Sequence, residues 1–309
     1  MTESWEGRHV LVTGGTGFIG SFLVEYLLDH GARVRVPIRA EHYRALSSRR
    51  GEVEWLDGDL RDPDYCADLL DGIDEVFHFA SSRRTSEYHE KRPSDVLNDN
   101  IRMTLALLDG LKEKELKIPV TFCSSANVPP TLDVIALADA HTVDGYILAK
   151  AICESLWLTA ARQRHFPLLI VRPVGVYGPR DTFNEDANLV PALMVQARDA
   201  EDTLVVWGDG SQERAFLYVT DFVSAIFTLL GKGVEGIQYI TTNHIVSVRT
   251  LSEEIRDLIR PGLPITFEPA KTVGDRAIPV LAVHPVLESF AWTSLHDGLA
   301  STYRTWNAV

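Results

Sequence analysis

The 309-residue sequence predicts an α/β fold, a Rossmann-type doubly wound parallel sheet followed by a smaller C-terminal substrate-binding lobe. Three observations carry this. Strand-like apolar runs alternate with helix-period segments across residues 9–178. Several of the runs, such as PLLIV at 167–171, are continuously apolar, as in strands buried on both faces. Gly14, Gly15, Gly17 and Gly20 follow the first run directly, between a strand and a helix.

HVLVTG (9–14) is the first strand, and SFLVEYLLDHG (21–31) a helix with apolar residues at helical spacing and Gly31 as its stop. RVRVPI (33–38) and VEWLDGDL (53–60) are the second and third strands. A short helix over YCADLLDG precedes the fourth, EVFHFAS (75–81). NIRMTLALLDGLKE (100–113) is a helix and PVTFCSS (119–125) the fifth strand. YILAKAICESLWLTAARQRH (146–165) is a long helix, followed by PLLIVRPVGVYG (167–178). After Gly178 the loops lengthen. The division expected is 1–178 for the sheet domain and 179–309 for the second lobe, interleaved with the end of the first. No internal repeat stands out.

Composition narrows the function. Hydrophobic residues make up 45% and charged residues 24%, an ordinary globular balance. The formal net charge of -13 repels a polyphosphate backbone, so no nucleic-acid partner is expected. The three cysteines, Cys66, Cys123 and Cys153, are odd in number and show no metal-ligand spacing, which suggests a reduced, cytoplasmic chain without a metal. No apolar stretch approaches the ~20 residues a membrane span needs, and the N-terminus lacks a signal-peptide pattern. FVSAIFTLL (222–230) reads as a buried helix.

The glycine loop VTGGTGFIG has a physical rationale as a dinucleotide cradle. A tight turn needs glycine, a pyrophosphate must approach the backbone, and the helix must pack near the strand. The N–H groups at the helix start, with Phe18, Ile19 and Gly20, then face phosphate. The second strand ends in Ile38 and Arg39, where an NAD site would carry a carboxylate for the ribose hydroxyl. A guanidinium there favours a 2′-phosphate, hence NADP, although Glu41 is near enough to bond a hydroxyl and keep NAD open. Asp59 is either an adenine contact or a turn residue.

Tyr146 and Lys150 are four apart on a helix and share a face. A free phenol ionises near ~10, and a neighbouring ammonium favours its anion, so the pair suits acid–base work. Ser125, with Ser124 beside it, stands at the end of a strand to hold a reacting oxygen. A solvated tyrosine–lysine pair would look the same.

Together TGGTGFIG, DGDLRD, FHFAS, CSSANV with YILAK, RPVGVYGPRD, WGDGSQERAFLYVTDF and the closing FAWTSLHDGLASTYRTW resemble, nearly end to end, the extended short-chain dehydrogenase/reductase family of nucleotide-sugar epimerases, dehydratases and reductases. YGPRDTFNEDANLVPAL and LVVWGDGSQERAFLYV look most like GDP-L-fucose synthases. The resemblance implies a catalytic Ser125, Tyr146 and Lys150. It implies cofactor contacts from Gly14, Gly17, Phe18, Ile19, Gly20, Arg39, Asp59, Leu60, Ala80, Tyr146 and Lys150. Ser82, Asn127, Asn188, Arg214 and Arg276 would then face a nucleotide-diphosphate sugar. The two arginines suit a diphosphate through paired, charge-assisted bonds, or are surface ion pairs. A homodimer through the Tyr146 helix is also implied.

The pattern breaks at three positions. Fucose synthases carry a proton-moving cysteine where this chain has Asn127, and a histidine where it has Asn188; an amide does not titrate. Pro129 replaces a tyrosine. Ala126 and Asn127 also lack the acid of a sugar dehydratase. Reduction of a keto-sugar nucleotide, or C4 epimerisation through a transient ketone, needs no more than Ser125, Tyr146 and Lys150. His141, Asp144 or Glu185 would supply a further relay, and a non-catalytic dinucleotide sensor is a reading from another class.

Overall fold

The computed structural model describes residues 4–39, 44–82, 91–130, 145–184, 187–242, 245–270 and 283–307. Contacts divide the chain into two units. One is Met1–Pro173 with Val223–Tyr239, the other Val174–Phe222 with Ile240–Val309.

The first unit holds a seven-stranded sheet in the order β10-β6-β5-β4-β1-β2-β3. Its strands are β1 (His9–Thr13), β2 (Arg33–Ile38), β3 (Val53–Asp57), β4 (Glu75–His78), β5 (Val120–Cys123), β6 (Leu168–Pro173) and β10 (Gly236–Ile240). Every pairing from β6 to β3 is parallel. The order is that of a Rossmann-type sheet, with its switch point between β1 and β4. The helices are α1 (Phe18–Asp29), α2 (Pro63–Leu69), α3 (Pro93–Glu113) and α4 (Gly145–Arg164). Every residue of β4 and β5 is buried, the polar Glu75, His78 and Thr121 included, as in a sheet covered on both faces. Leu11, Leu69, Leu107, Phe122, Trp157 and Ile170 centre one core cluster, where a fully buried leucine contributes about 1.5–3 kcal/mol.

Two expectations shift for physical reasons. The helix before β5 starts at Pro93, not Asn100. Proline suits a first helical turn because its missing N–H has no partner there, and the exposed, polar opening turn hides the helical period. The run 167–178 is two strands, β6 and β7 (Gly175–Tyr177), and they belong to different sheets. The unit boundary therefore falls after Pro173 rather than after residue 178. The first unit also takes back residues 223–239, which include most of α6 (Val219–Leu230) and β10. Phe227 of α6 stacks on Tyr26 at 3.9 Å between centroids and meets Trp5 edge-on at 5.2 Å.

In the second unit, β7, β9 (Glu213–Tyr218) and β11 (Ile245–Ser247) form a sheet in the order β11-β9-β7, and β8 (Leu204–Trp207) pairs with β12 (Ile265–Glu268). With α5 (Leu189–Asp199), α7 (Val248–Ile259) and α8 (Leu295–Trp306), they enclose a core that includes Met194, Leu251, Ile255 and Leu299. Among the described residues no helix is long and apolar enough to cross a membrane, and no group of three or more metal-binding side chains gathers.

Candidate active site

The β1–α1 turn is set by close backbone approach. Gly14 has φ +75°, and a Cβ there would lie 2.6 Å from the Ala80 nitrogen and 2.7 Å from the Phe79 carbonyl carbon. A Cβ on Gly20 would meet the Gly14 oxygen at 2.0 Å. The loop thus packs on the tip of β4 with no room for side chains. Gly17 caps α1 without a side-chain bond, and no acidic residue lies in the first turn. The N–H groups of Phe18 and Ile19 at that end suit an anion, so the cradle fits a dinucleotide pyrophosphate.

Around the cradle, Ala80 donates its N–H to Thr13 Oγ1 at 3.2 Å. Arg39 is exposed at the end of β2. The Asp59 carboxylate accepts from the Arg61 backbone N–H at 2.9 Å and from the Arg61 guanidinium. Arg61, and at longer range Arg39, hold its carboxyl down to about 2. Leu60 packs its side chain against the core, and its carbonyl accepts from the Cys66 thiol. Ser82 bonds Asn100 and Asp99 of α3 through its N–H and hydroxyl.

On the other side of the switch point, Ser125 follows β5 and Tyr146 and Lys150 open α4. The helix starts close against α3, since a Cβ on Gly145 would meet the Pro93 oxygen at 2.4 Å. Lys150 is 3% exposed; its Nζ donates to the Cys123 carbonyl at 2.7 Å and lies 5.6 Å from the Tyr146 ring centroid. Half-buried Tyr146 packs on a small cluster of Val128, Ile147 and Ala151. The loop after β5 and the face of α4 therefore meet around Tyr146. Ser124 and Ser125 separate cleanly. Ser124 gives its hydroxyl to the buried Glu154 carboxylate, whereas Ser125 Oγ accepts the Asn127 N–H at 3.2 Å and keeps its own proton to donate. The Asn127 side chain is exposed.

Two buried polar networks lie behind these residues. Thr13 Oγ1 meets His78 Nδ1 at 2.8 Å, His78 Nε2 meets Thr104 Oγ1 at 3.4 Å, and Thr104 donates to Cys153 Sγ at 3.2 Å. Because Thr104 spends its one hydroxyl proton on Cys153, it accepts from His78, and one proton arrangement satisfies every link: Nε2–H donates to Thr104, and Thr13 donates to Nδ1. Burial, with Lys150 nearby, pushes His78 down to about 3, so its imidazole is neutral. The second network joins Ser124, Glu154, Arg172 and Tyr239. Arg172 Nε donates to Glu154 Oε1 at 2.8 Å, and its Nη1 donates to the Tyr239 hydroxyl at 2.6 Å and the Val128 carbonyl at 3.3 Å. Burial alone lowers an arginine, but the bonded Glu154 carboxylate leaves Arg172 raised. Thr13, His78, Glu154 and Arg172 were not singled out from the sequence. The signal for Glu154 was its place one further turn along the Tyr146–Lys150 face; for Arg172 and His78 it was a polar residue inside a strand's apolar run.

The three cysteines are free and buried, and burial pushes Cys66 up to about 12 and Cys123 to about 11. Asn188 at the start of α5 and Arg214 on β9, half-buried and donating to the Glu213 carbonyl at 2.8 Å, belong to the second unit. Arg276, Glu41, His141, Asp144 and Glu185 lie outside the described residues.

A glycine cradle at the switch point and a tyrosine–lysine helix one strand away make this a nicotinamide-dinucleotide-dependent α/β enzyme. A profile of the NAD dependent epimerase/dehydratase family matches residues 10–243, and the chain belongs to that family. Over 317 residues it is 30% identical to a dTDP-4-dehydro-6-deoxy-D-allose reductase of Streptomyces bikiniensis, covering 98% of this chain and 97% of the relative. Its fold is similar to that of the UDP-glucose 4-epimerase of Thermotoga maritima, solved with UDP-glucose: TM-score 0.81, 22% identity, 97% of this chain and 99% of that one. It is also similar to Bordetella bronchiseptica WbmF in complex with NAD+, with TM-score 0.80, 20% identity and coverage of 99% and 94%.

Proposed function

We propose that the protein is an oxidoreductase of nucleotide sugars that reduces a keto-sugar nucleotide. The observation that carries this reading is that the loop after β5, which holds Ser125, packs through Val128 on the Tyr146 end of α4 and is bonded through the Cys123 carbonyl to Lys150, with the exposed Asn127 in place of a titrating group. The dinucleotide, when bound, supplies the hydride. Ser125, whose Oγ accepts from the Asn127 N–H, keeps its proton and donates a hydrogen bond to the carbonyl oxygen, which holds it. Tyr146 gives its phenolic proton to the same oxygen as negative charge develops there. Lys150, whose Nζ lies 5.6 Å from the Tyr146 ring centroid, bonds the nicotinamide ribose. Gly14, Gly17, Phe18, Ile19 and Gly20 take the pyrophosphate; Asp59, Leu60 and Ala80 line the adenosine side. Arg39 favours NADP. Ser82, Asn127, Asn188, Arg214 and Arg276 serve the nucleotide-diphosphate sugar.

The reductase relative, alike over 98% of this chain, supports reduction of a dTDP-linked 4-keto sugar. The reading does not depend on the narrower likeness to GDP-L-fucose synthases. A cytoplasmic homodimer built on α4 belongs to the same proposal. The second reading is C4 epimerisation with tightly held NAD, because the same three residues suffice for it.

Denaturing the purified protein and identifying any released dinucleotide by mass spectrometry separates the two. Release of stoichiometric NAD overturns the reductase in favour of the epimerase. An empty protein that binds NADPH more tightly than NADH and oxidises it with a dTDP-4-keto-6-deoxy sugar supports the reductase. Tyr146→Phe is expected to abolish turnover and leave dinucleotide affinity largely intact; full activity in that variant removes Tyr146 from its role.

A further inference from the structure

We infer that the buried Glu154–Arg172 pair is a positioning device that sets the loop 124–129, and with it Ser125, against the Tyr146 face of α4. The inference rests on the reading of Ser125 and Tyr146 as the reacting site. Three features carry it. Tyr146, Lys150 and Glu154 recur every fourth residue on α4, so one helix face carries all three. Glu154 lies about 12 Å further along the axis than Tyr146, too deep to touch a substrate, and it is 0% exposed.

The pair's hydrogen-bonding capacity is directed at the loop. Ser124, at its start, donates to Glu154. The Val128 and Pro129 carbonyls, at its end, accept from Arg172 Nη1 at 3.3 and 3.5 Å. The loop is therefore held at both ends by one ion pair, which is anchored to α4 through Glu154, to β6 through Arg172 and to β10 through Tyr239. Between the two ties lie Ser125, Ala126 and Asn127.

Solvation energetics agree with the geometry. Desolvating two charges is unfavourable enough that apolar residues of similar size often serve stability as well or better, so a retained pair points to geometric specification. An apolar core would also leave the Val128 and Pro129 carbonyls without these donors. Glu154 and Arg172 are thus positioning residues: they act through the loop that carries Ser125, not on the reacting atoms.

The test uses the full chain with Ser124→Ala and Tyr239→Phe, singly and combined, since neither leaves a charge unpaired. The readouts are dinucleotide affinity, kcat and KM for the reduction of a dTDP-4-keto-6-deoxy sugar, and hydrogen exchange of the Ala126, Asn127 and Val128 amides. In the double variant we expect about tenfold lower kcat, because small misplacements of a reacting group are costly. We expect dinucleotide affinity within about twofold, because the glycine cradle is untouched, and loop exchange at least about tenfold faster. A kcat within about twofold of the parent overturns the inference. So does a loss of kcat that merely follows a loss of dinucleotide affinity, which is general destabilisation. If Tyr146→Phe keeps full activity, the reading of the site has failed instead. Loop exchange, which needs no substrate, then decides the positioning claim by itself, and unchanged exchange overturns it.

Discussion

The His78 network and the Glu154–Arg172 network lie behind neighbouring strand ends of one sheet, are both buried, and both terminate on backbone beside the candidate site. They are built from opposite chemistry. The first is neutral throughout, a chain of hydroxyl, imidazole and thiol that ties the β1 tip to α3 and α4. The second is a charged pair surrounded by a hydroxyl at each side and two carbonyls. A neutral network is inexpensive to bury and is broken by a proton. A charged one is costly to bury and fails when either partner is removed.

Removing one charge is expected to have the largest effect. Arg172→Met leaves Glu154 buried and unpaired, and should cost about 3–5 kcal/mol of stability by chemical denaturation. Combining it with Glu154→Gln should recover part of that loss. A double variant as unstable as Arg172→Met alone would break the contrast, because charge would then not be the relevant property.

The pH response comes next. Unfolded His78 takes a proton below ~6.5, whereas the folded residue does so only near about 3. Between those values the unfolded chain binds the extra proton, so stability is complete above ~6.5 and is lost as the pH falls. The slope from this residue is ~1.4 kcal/mol per unit, about 2 kcal/mol by pH 5. Denaturation at pH 7 and pH 5 should show that loss in the parent and much less of it in His78→Asn. Equal losses in both would move the acid sensitivity elsewhere.

Thr104→Val should have the smallest effect, about 1 kcal/mol, since it removes the acceptor from a long 3.4 Å bond to His78 Nε2. A much larger loss would make the neutral network as demanding as the charged one.

Periodicity carried much of the fold. Alternating apolar runs gave the strands of the main sheet, and the glycine spacing located the β1–α1 turn. Periodicity did not reveal where Pro93–Glu113 begins, because its opening turn is polar and exposed, nor the break after Pro173, because two strands of different sheets read as one apolar run. At the candidate site, Ser125, Tyr146 and Lys150 are proposed from the family resemblance, because a tyrosine and a lysine four apart on a helix also describe an ordinary solvated pair. Asp59 stayed ambiguous because a turn and an adenine contact ask for the same carboxylate, and its bond to the Arg61 N–H is compatible with both. Glu154, Arg172 and His78 stayed hidden for a different reason. Their partners lie 18 to 67 positions away in sequence, and tertiary pairing across that separation leaves no local period.

The buried thiols have a practical consequence. Cys66, Cys123 and Cys153 are all enclosed and held in the protonated form by burial, so they should react slowly with alkylating reagents in the folded protein. The native chain then behaves as a cysteine-free background for site-directed labelling. One cysteine introduced at an exposed position such as Asp109 on α3 would take a fluorophore or spin label selectively, without first replacing the natural thiols.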